Sequence, residues 1–393
     1  MTDVVVAGVG MVPFAKPRES GSYVELGEAA VRAALADAGL GYHSIGQAYA
    51  GYVYGDSTCG QAVLYGVGLT GIPVVNVNNN CSTGSSALFL ARQAVASGVV
   101  DCALALGFEQ MTPGALSSVY TDRVSPLARH DDAQREIQGQ DEQAPQAAQL
   151  FGGAGQAYVD EYGTDPAVFA RISVKARRHA ANNPYAVFRD PITLDDVLNS
   201  PVVHGPLTRL QCCPPTCGAA AAIVCTPEFA RAHGVAGGVR IKAQSLVTDT
   251  PSTFEARDMR QVVGYDMTVK AANDVYEASG VGPEDLRVVE LHDCFTTNEF
   301  LTYEALGLTP AGTAEKFVLA GDNTYGGRVV TNPSGGLLSK GHPLGATGLA
   351  QCAELVWQLR GQAGDRQVDD VTVALQHNLG LGGACVVTLY ERA

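Results

Sequence analysis

The feature that most constrains this chain is an alternation of strands and helices that runs once, is interrupted, and starts again. Apolar, β-branched runs at residues 3–9, 48–54, 74–77 and 102–107 alternate with stretches of helical spacing at 26–38, 61–69 and 85–97. Gly39 and Gly41 stop the first helix. Residues 219–224 read as a buried strand and 227–233 as a helix. From 239 the order repeats, with strands at 239–247, 285–290, 370–377 and 384–390 and helices at 267–278 and 348–359. The stop Ser279-Gly280-Val281-Gly282 echoes Ala38-Gly39-Leu40-Gly41. Alternation of this kind predicts a largely parallel α/β sheet with helices on both faces. Two halves in matching order predict an internal duplication. Gly8-Val9-Gly10 is a fragment of a dinucleotide fingerprint without its third glycine, and reads as a turn.

Residues 112–217 break the pattern. They carry charged clusters such as Arg129-His130-Asp131-Asp132 and Arg177-Arg178-His179, and no strand alternation. They read as a partly helical insertion over the first unit. The resulting division is 1–111 with 218–236, an inserted segment 112–217, and 237–393. The 393 residues suffice for more than one packed unit.

A net charge of −14 argues against phosphate-backbone binding, so no nucleic-acid partner is expected. No apolar run approaches the ~20 residues of a membrane helix. Met1-Thr2-Asp3 lacks the basic start of a signal peptide, and Tyr390-Glu391-Arg392-Ala393 is no peroxisomal address. The expected compartment is the cytoplasm, with the ten cysteines as reduced thiols.

Four segments carry candidate chemistry. Cys81 follows a strand and an asparagine triplet and opens a helix, as Asn78-Asn79-Asn80-Cys81-Ser82-Thr83-Gly84. A helix N-terminus favours a thiolate, the nucleophilic form. Taken alone, the residue is equally compatible with an inert buried thiol. In Leu291-His292-Asp293-Cys294-Phe295, His292 and Cys294 lie two apart on an extended segment and point to one side. The stretch from Asn332 to Gly348 is rich in glycine and suits backbone wrapped around a ligand, with Ser334, Gly335 and Ser339 as candidate substrate contacts. Within it, His342 between Gly341 and Pro343 is a candidate base for a thiol proton. Gln376-His377-Asn378-Leu379-Gly380-Leu381-Gly382-Gly383 exposes backbone N–H groups suited to an oxyanion. His377 itself reads as a core residue. Cys212-Cys213-Pro214-Pro215-Thr216-Cys217 hints at metal ligation, but no second cysteine pair at zinc spacing follows, so no metal is expected.

As a set, these segments resemble the thiolase superfamily, and most nearly its sterol-carrier-protein-type members. Leu210-Gln211-Cys212-Cys213-Pro214 and Gly321-Asp322-Asn323-Thr324-Tyr325-Gly326-Gly327 belong to the same resemblance, which spans essentially the whole chain. It implies the thiolase fold, two similar halves in an α-β-α-β-α five-layered arrangement with an inserted loop domain. It also implies homodimers or homotetramers and acyl-CoA substrates, with coenzyme A as substrate and no cofactor. Residue by residue, Cys81 matches the acylated nucleophile and His342 its base. His292 matches the group that holds the thioester oxygen, and Cys294 the cysteine that moves the α-carbon proton. Backbone N–H groups of Cys81 and Gly380 match an oxyanion hole. Ordinary thiolases carry the acid/base cysteine in the last glycine-rich turn, where this chain has Asn378. The sterol-carrier type supplies it from the His-Asp-Cys-Phe motif. The chain stops at Ala393, so no fused lipid-binding domain is expected. The implied activity is acyl-CoA C-acyltransfer through an acyl-Cys81 intermediate. Two alternatives stay open, a thiolase-like retro-aldol lyase working with a small OB-fold partner and a non-catalytic acyl-CoA or lipid binder.

Overall fold

Twelve strands form where the apolar runs lie, in a computed structural model that describes all residues except Met1, Ala115, Ser117, Ala236 and Gly237. The expected boundary between 236 and 237 therefore lies outside the described residues. The strands are β1 (Val5–Met11), β2 (Gln47–Gly51), β3 (Val74–Val77), β4 (Cys102–Glu109), β5 (Val202–His204), β6 (Leu207–Thr208), β7 (Gly218–Cys225), β8 (Val239–Val247), β9 (Val288–Glu290), β10 (Val330–Thr331), β11 (Val373–Gly380) and β12 (Ala384–Arg392). Ten of them build one sheet in the order β10-β9-β11-β12-β8-β1-β7-β4-β2-β3, and β5–β6 form a separate hairpin.

That order is a duplication written in space. Outward from the β1–β8 seam, β1-β7-β4-β2-β3 matches β8-β12-β11-β9-β10 strand for strand. Pairing sense matches too. β1 with β7 and β8 with β12 are antiparallel, as are β4 with β7 and β11 with β12. β2 runs parallel to β3 and β4, and β9 runs parallel to β10 and β11. The sheet is thus mixed, not largely parallel as the alternation suggested. The inner strands of each half are antiparallel because β12 returns beside β11 through a tight glycine turn, and β7 returns beside β4 after the insertion.

Helices Thr83–Ala96 and Thr347–Arg360 pack on each other between the two halves of the sheet. Their apolar residues, including Leu88, Val95, Leu349 and Val356, share one core with residues of β4, β7, β9 and β11. Tyr23–Ala38 and Cys59–Val67 cover the outer face of the first half. Tyr265–Ser279 and Thr296–Ala305 cover that of the second. These are the five layers. Gly8 and Gly10 lie inside β1, not in a turn. A Cβ on Gly8 would stand 2.4 Å from the Ala34 carbonyl oxygen, so the glycines let the first helix press onto the strand.

The insertion also lies elsewhere than expected. Its helices Gln146–Tyr162 and Ala167–Ala180 rest on the second half, not the first. Aromatic contacts decide this. Phe151 stacks on Phe295 at 5.1 Å, and Phe169 meets Phe300 edge-on at 4.9 Å. Beneath them the buried Lys175 ammonium pairs with Glu299 and donates to the Thr331 hydroxyl at 2.6 Å.

The central helices meet at their N-termini through glycine. A Cβ on Gly348 would lie 2.4 Å from the Ser85 backbone nitrogen and 2.6 Å from Asn378 Oδ1. Backbone on the far side cannot yield, so Gly348→Ala is expected to cost about 3 kcal/mol or more, or to block folding. Gly98 has φ +74° and open space around its Cβ position, so Gly98→Ala should cost only about 1 kcal/mol. Urea unfolding of the two variants checks the ranking.

Candidate active site

Each asparagine before Cys81 shapes the turn. Asn78 Oδ1 accepts from the Asn80 N–H at 3.1 Å, a local Asx turn. Asn79 Nδ2 donates to Ser86 Oγ at 2.9 Å, fastening the turn to the helix that follows. Asn80 has φ +49°, a left-handed conformation that asparagine tolerates better than most residues. Its Nδ2 donates to the Leu381 carbonyl at 3.1 Å. Cys81 is thereby held at the mouth of helix Thr83–Ala96, with its sulfur 3.5 Å from Asn80 Oδ1. Gly380 packs directly on this turn, where a Cβ would stand 2.3 Å from the Asn79 carbonyl oxygen.

His342 arrives from the second half. Its backbone N–H donates to Thr216 Oγ1 at 2.6 Å, and its Nδ1 lies 2.7 Å from Thr347 Oγ1. The Thr347 hydroxyl gives its single proton to the Pro343 carbonyl at 3.0 Å. With its proton so placed it accepts from His342, and the ring then carries its proton on Nδ1 and a bare lone pair on Nε2. That Nε2 is buried and has no partner.

Three of the four expected groups converge. The Cys81 sulfur and one ring nitrogen each of His292 and His342 all lie within 4.8 Å of one another. The two rings meet edge-on with centroids 5.1 Å apart. The same three atoms are chemically able to hold a soft metal ion, and no other such cluster occurs among the described residues. Cys294 lies alongside. Burial raises its pKa, and the neighbouring Cys213 and Cys81 sulfurs add to the shift. Asn378 Nδ2 lies 3.1 Å from His292 Nδ1.

Electrostatics depart from the helix-terminus expectation. Burial pushes the Cys81 thiol up to about 12, with the nearby Glu109 carboxylate adding to the shift. Burial also lowers His342 to about 3 and holds His292 well below the usual imidazole range. The resting site is therefore a neutral thiol facing two neutral imidazoles. Glu109 is itself pushed up to about 7 by burial, against three backbone N–H donors from Tyr54, Gly345 and Val53.

The remaining expected residues fall in different surroundings. The Ser334 hydroxyl donates to Glu290 at 2.8 Å, and Gly335 packs against Ala180. The Ser339 hydroxyl is buried without a partner. His377 accepts from the His292 N–H at 3.4 Å and meets Thr268, as a core histidine does. Much of the glycine in 332–348 serves packing. A Cβ on Gly345 would meet the Phe108 carbonyl at 2.4 Å. Cys212–Cys217 form a clasp, bridging Phe295 through Cys212 and His342 through Pro215. Sequence reasoning missed Thr216, Thr347, Ser85, Gln376 and Glu109. Only Thr347, five residues after His342 at a helix start, left a local trace.

Comparison with known proteins establishes the family. The family profile "Thiolase, N-terminal domain" matches residues 4–228, and "Thiolase C-terminal domain-like" matches 249–390. Sterol carrier protein 2 of Rattus norvegicus is 56% identical over 392 residues, 99% of this chain and 72% of that protein. Benzoylsuccinyl-CoA thiolase subunit BbsB of Thauera aromatica is 39% identical, over 96% of this chain and 95% of that one. Among solved structures, the Ltp2-ChsH2(DUF35) aldolase matches with a TM-score of 0.83 at 25% identity, covering 99% of this chain and 98% of that one. With its duplicated sheet, its five layers and a buried cysteine between two imidazoles, the chain belongs to the thiolase family.

Proposed function

We propose that the protein is an acyl-CoA C-acyltransferase that runs thiolysis and its reverse, Claisen condensation, through an acyl-Cys81 intermediate. The observation that carries this reading is the convergence of Cys81 Sγ with ring nitrogens of His292 and His342 within 4.8 Å in a buried site. His342 presents a bare Nε2 to take the thiol proton as sulfur attacks the 3-keto carbon. The carbon–carbon bond then breaks and the acyl-CoA leaves as an enolate. His292 holds the enolate oxygen, and Cys294 protonates the α-carbon. Backbone N–H groups of Cys81 and Gly380 hold the oxyanion on the nucleophile's side. Coenzyme A finally takes the acyl group from Cys81. No step requires a metal or redox cofactor. Of the loop residues, Ser339, whose hydroxyl has no partner, stays the candidate substrate contact, whereas Ser334 is held by Glu290 and Gly335 by Ala180.

A second reading, retro-aldol cleavage of a CoA-linked side chain beside a small OB-fold partner, is favoured by the structural similarity to the Ltp2-ChsH2(DUF35) aldolase. Retention of Cys81 in a site with two imidazoles speaks for acyl transfer. We also propose a homodimer. Among the described residues β3 is an edge strand with Val75 exposed, and Tyr65 and Leu69 of the segment before it are exposed too.

Acetyl-CoA should leave a mass adduct on Cys81, absent in Cys81→Ala. Cys294→Ala should still form the adduct yet lose about 10²- to 10⁴-fold in 3-ketoacyl-CoA thiolysis. Cleavage to a free aldehyde or ketone without any adduct would establish the lyase reading instead. The raised thiol pKa predicts a second behaviour. Below about 12 the thiolate fraction grows about tenfold per pH unit, so alkylation of Cys81 by iodoacetamide should climb steadily from pH 7 to pH 9. A plateau below pH 8 would reveal a preformed thiolate–imidazolium pair. Sedimentation should give twice the mass of one chain, moving toward one chain in Val75→Lys.

A further inference from the structure

We propose that Asn378 is a positioning residue that fixes His292 in the tautomer with its proton on Nε2, and that a directed hydrogen-bond chain beginning at Tyr390 holds Asn378 to that task. Two carbonyl acceptors, those of Gly348 and Cys81, set the direction of the chain. The Tyr390 hydroxyl donates to Gln376 Oε1 at 2.5 Å. Gln376 Nε2 donates to the Gly348 carbonyl at 2.7 Å and to Ser85 Oγ at 2.8 Å. A carbonyl only accepts, so the Gly348 oxygen fixes which end of Gln376 carries the protons. Ser85, having accepted, spends its single proton on Asn378 Oδ1 at 2.8 Å. Asn378 Nδ2 donates one proton to the Cys81 carbonyl at 3.2 Å, again an acceptor only. Its other N–H points at His292 Nδ1, 3.1 Å away.

His292 Nδ1 must then be the acceptor. A neutral imidazole whose Nδ1 accepts carries its proton on Nε2. Turning the Asn378 amide over would set its oxygen against the Cys81 carbonyl and its nitrogen against the Ser85 proton. Ser85, Gln376, Asn378 and Tyr390 are fully buried, and His292 nearly so, so such a mismatch would set like against like among desolvated groups. The two site histidines are thereby set as opposites. Thr347 leaves His342 with a bare Nε2, a base. Asn378 leaves His292 with an Nε2–H, a donor. One ring takes a proton while the other holds developing negative charge, and neither has to change tautomer first. The chain also crosses between the halves, since Ser85 and Cys81 come from the first and the other members from the second.

The consequence for catalysis rests on the reading of His292 as the holder of the enolate oxygen; the tautomer itself does not. The test has two arms on the full chain. In the first, the protein is labelled with ¹⁵N-histidine and long-range ¹H–¹⁵N spectra are recorded, with the His292 signals assigned by their loss in His292→Gln. The expected wild-type pattern is an unprotonated Nδ1 and a protonated Nε2. In the second, acetyl-CoA α-proton exchange with D₂O is compared with Cys81 acylation in Asn378→Leu. Exchange should fall about 100-fold, as for loss of an oxyanion donor, while acylation falls less than about threefold. A wild-type His292 protonated on Nδ1, or on both nitrogens, would overturn the proposal, as would equal losses in both rates. The wild-type spectrum stands even if the variant does not fold. A wild type that forms no adduct and exchanges no proton would remove the acyltransferase reading, leaving the spectrum to decide the tautomer.

Discussion

The site depends on how closely two helix N-termini can approach. Thr83–Ala96 and Thr347–Arg360 are the equivalent central helices of the two halves, and each begins with the dipeptide Thr-Gly. A Cβ on Gly84 would stand 2.7 Å from the Gly345 carbonyl oxygen, and one on Gly348 would stand 2.2 Å from Ser85 Oγ. Both positions must lack a side chain for the helices to meet. Cys81 lies two residues before one helix and His342 five before the other. Contact between the glycines therefore sets the distance between the Cys81 thiol and the His342 ring. A duplicated fold supplies two such helix starts facing one another, and the chain places different chemistry on each.

Burial then decides the charge state. An ion pair of thiolate and imidazolium in this site would need both charges desolvated, a cost that attraction between them offsets only with good additional hydrogen bonding. The surroundings do not provide that. His342 Nε2 has no partner, and Glu109 stands near the sulfur and disfavours a thiolate. Neutral partners are the stable resting form. On the mechanism proposed above, charge separation is deferred to the moment a substrate carbonyl enters, when the negative charge moves from sulfur to oxygen and meets preset N–H groups. A desolvated neutral thiol is also less exposed to adventitious alkylation or oxidation than a thiolate would be.

Much of this was legible in the sequence because the signals are local. The runs at 74–77 and 239–247 coincide with β3 and β8, and the glycine stops at 39 and 280 are left-handed helix caps. Cys81, His292 and His342 each sit in a short motif whose chemistry shows without neighbours. What failed was relational. Strand direction leaves no mark on hydropathy, so the sheet read as parallel. Thr296–Ala305 is buried on every side and carries buried Asn298 and Glu299, so it shows no amphipathic period and passed unread. The insertion was assigned to the wrong half because the partners of Phe151 and Phe169 lie more than a hundred residues away. Ser85 and Gln376 are ordinary polar residues until 291 residues of chain fold back and join them.

The clasp at Cys212–Cys217 ties the insertion to the candidate site. It is the last part of the insertion, and it touches the loops of Cys294 and His342 at once. Cys212 bridges Phe295, the Cys213 N–H donates to the Cys294 carbonyl at 2.9 Å, Pro215 bridges His342, and Thr216 accepts the His342 N–H. The same insertion presses Phe151 onto Phe295, one residue beyond Cys294. A change that reshapes the insertion therefore also bears on the positions of Cys294 and His342.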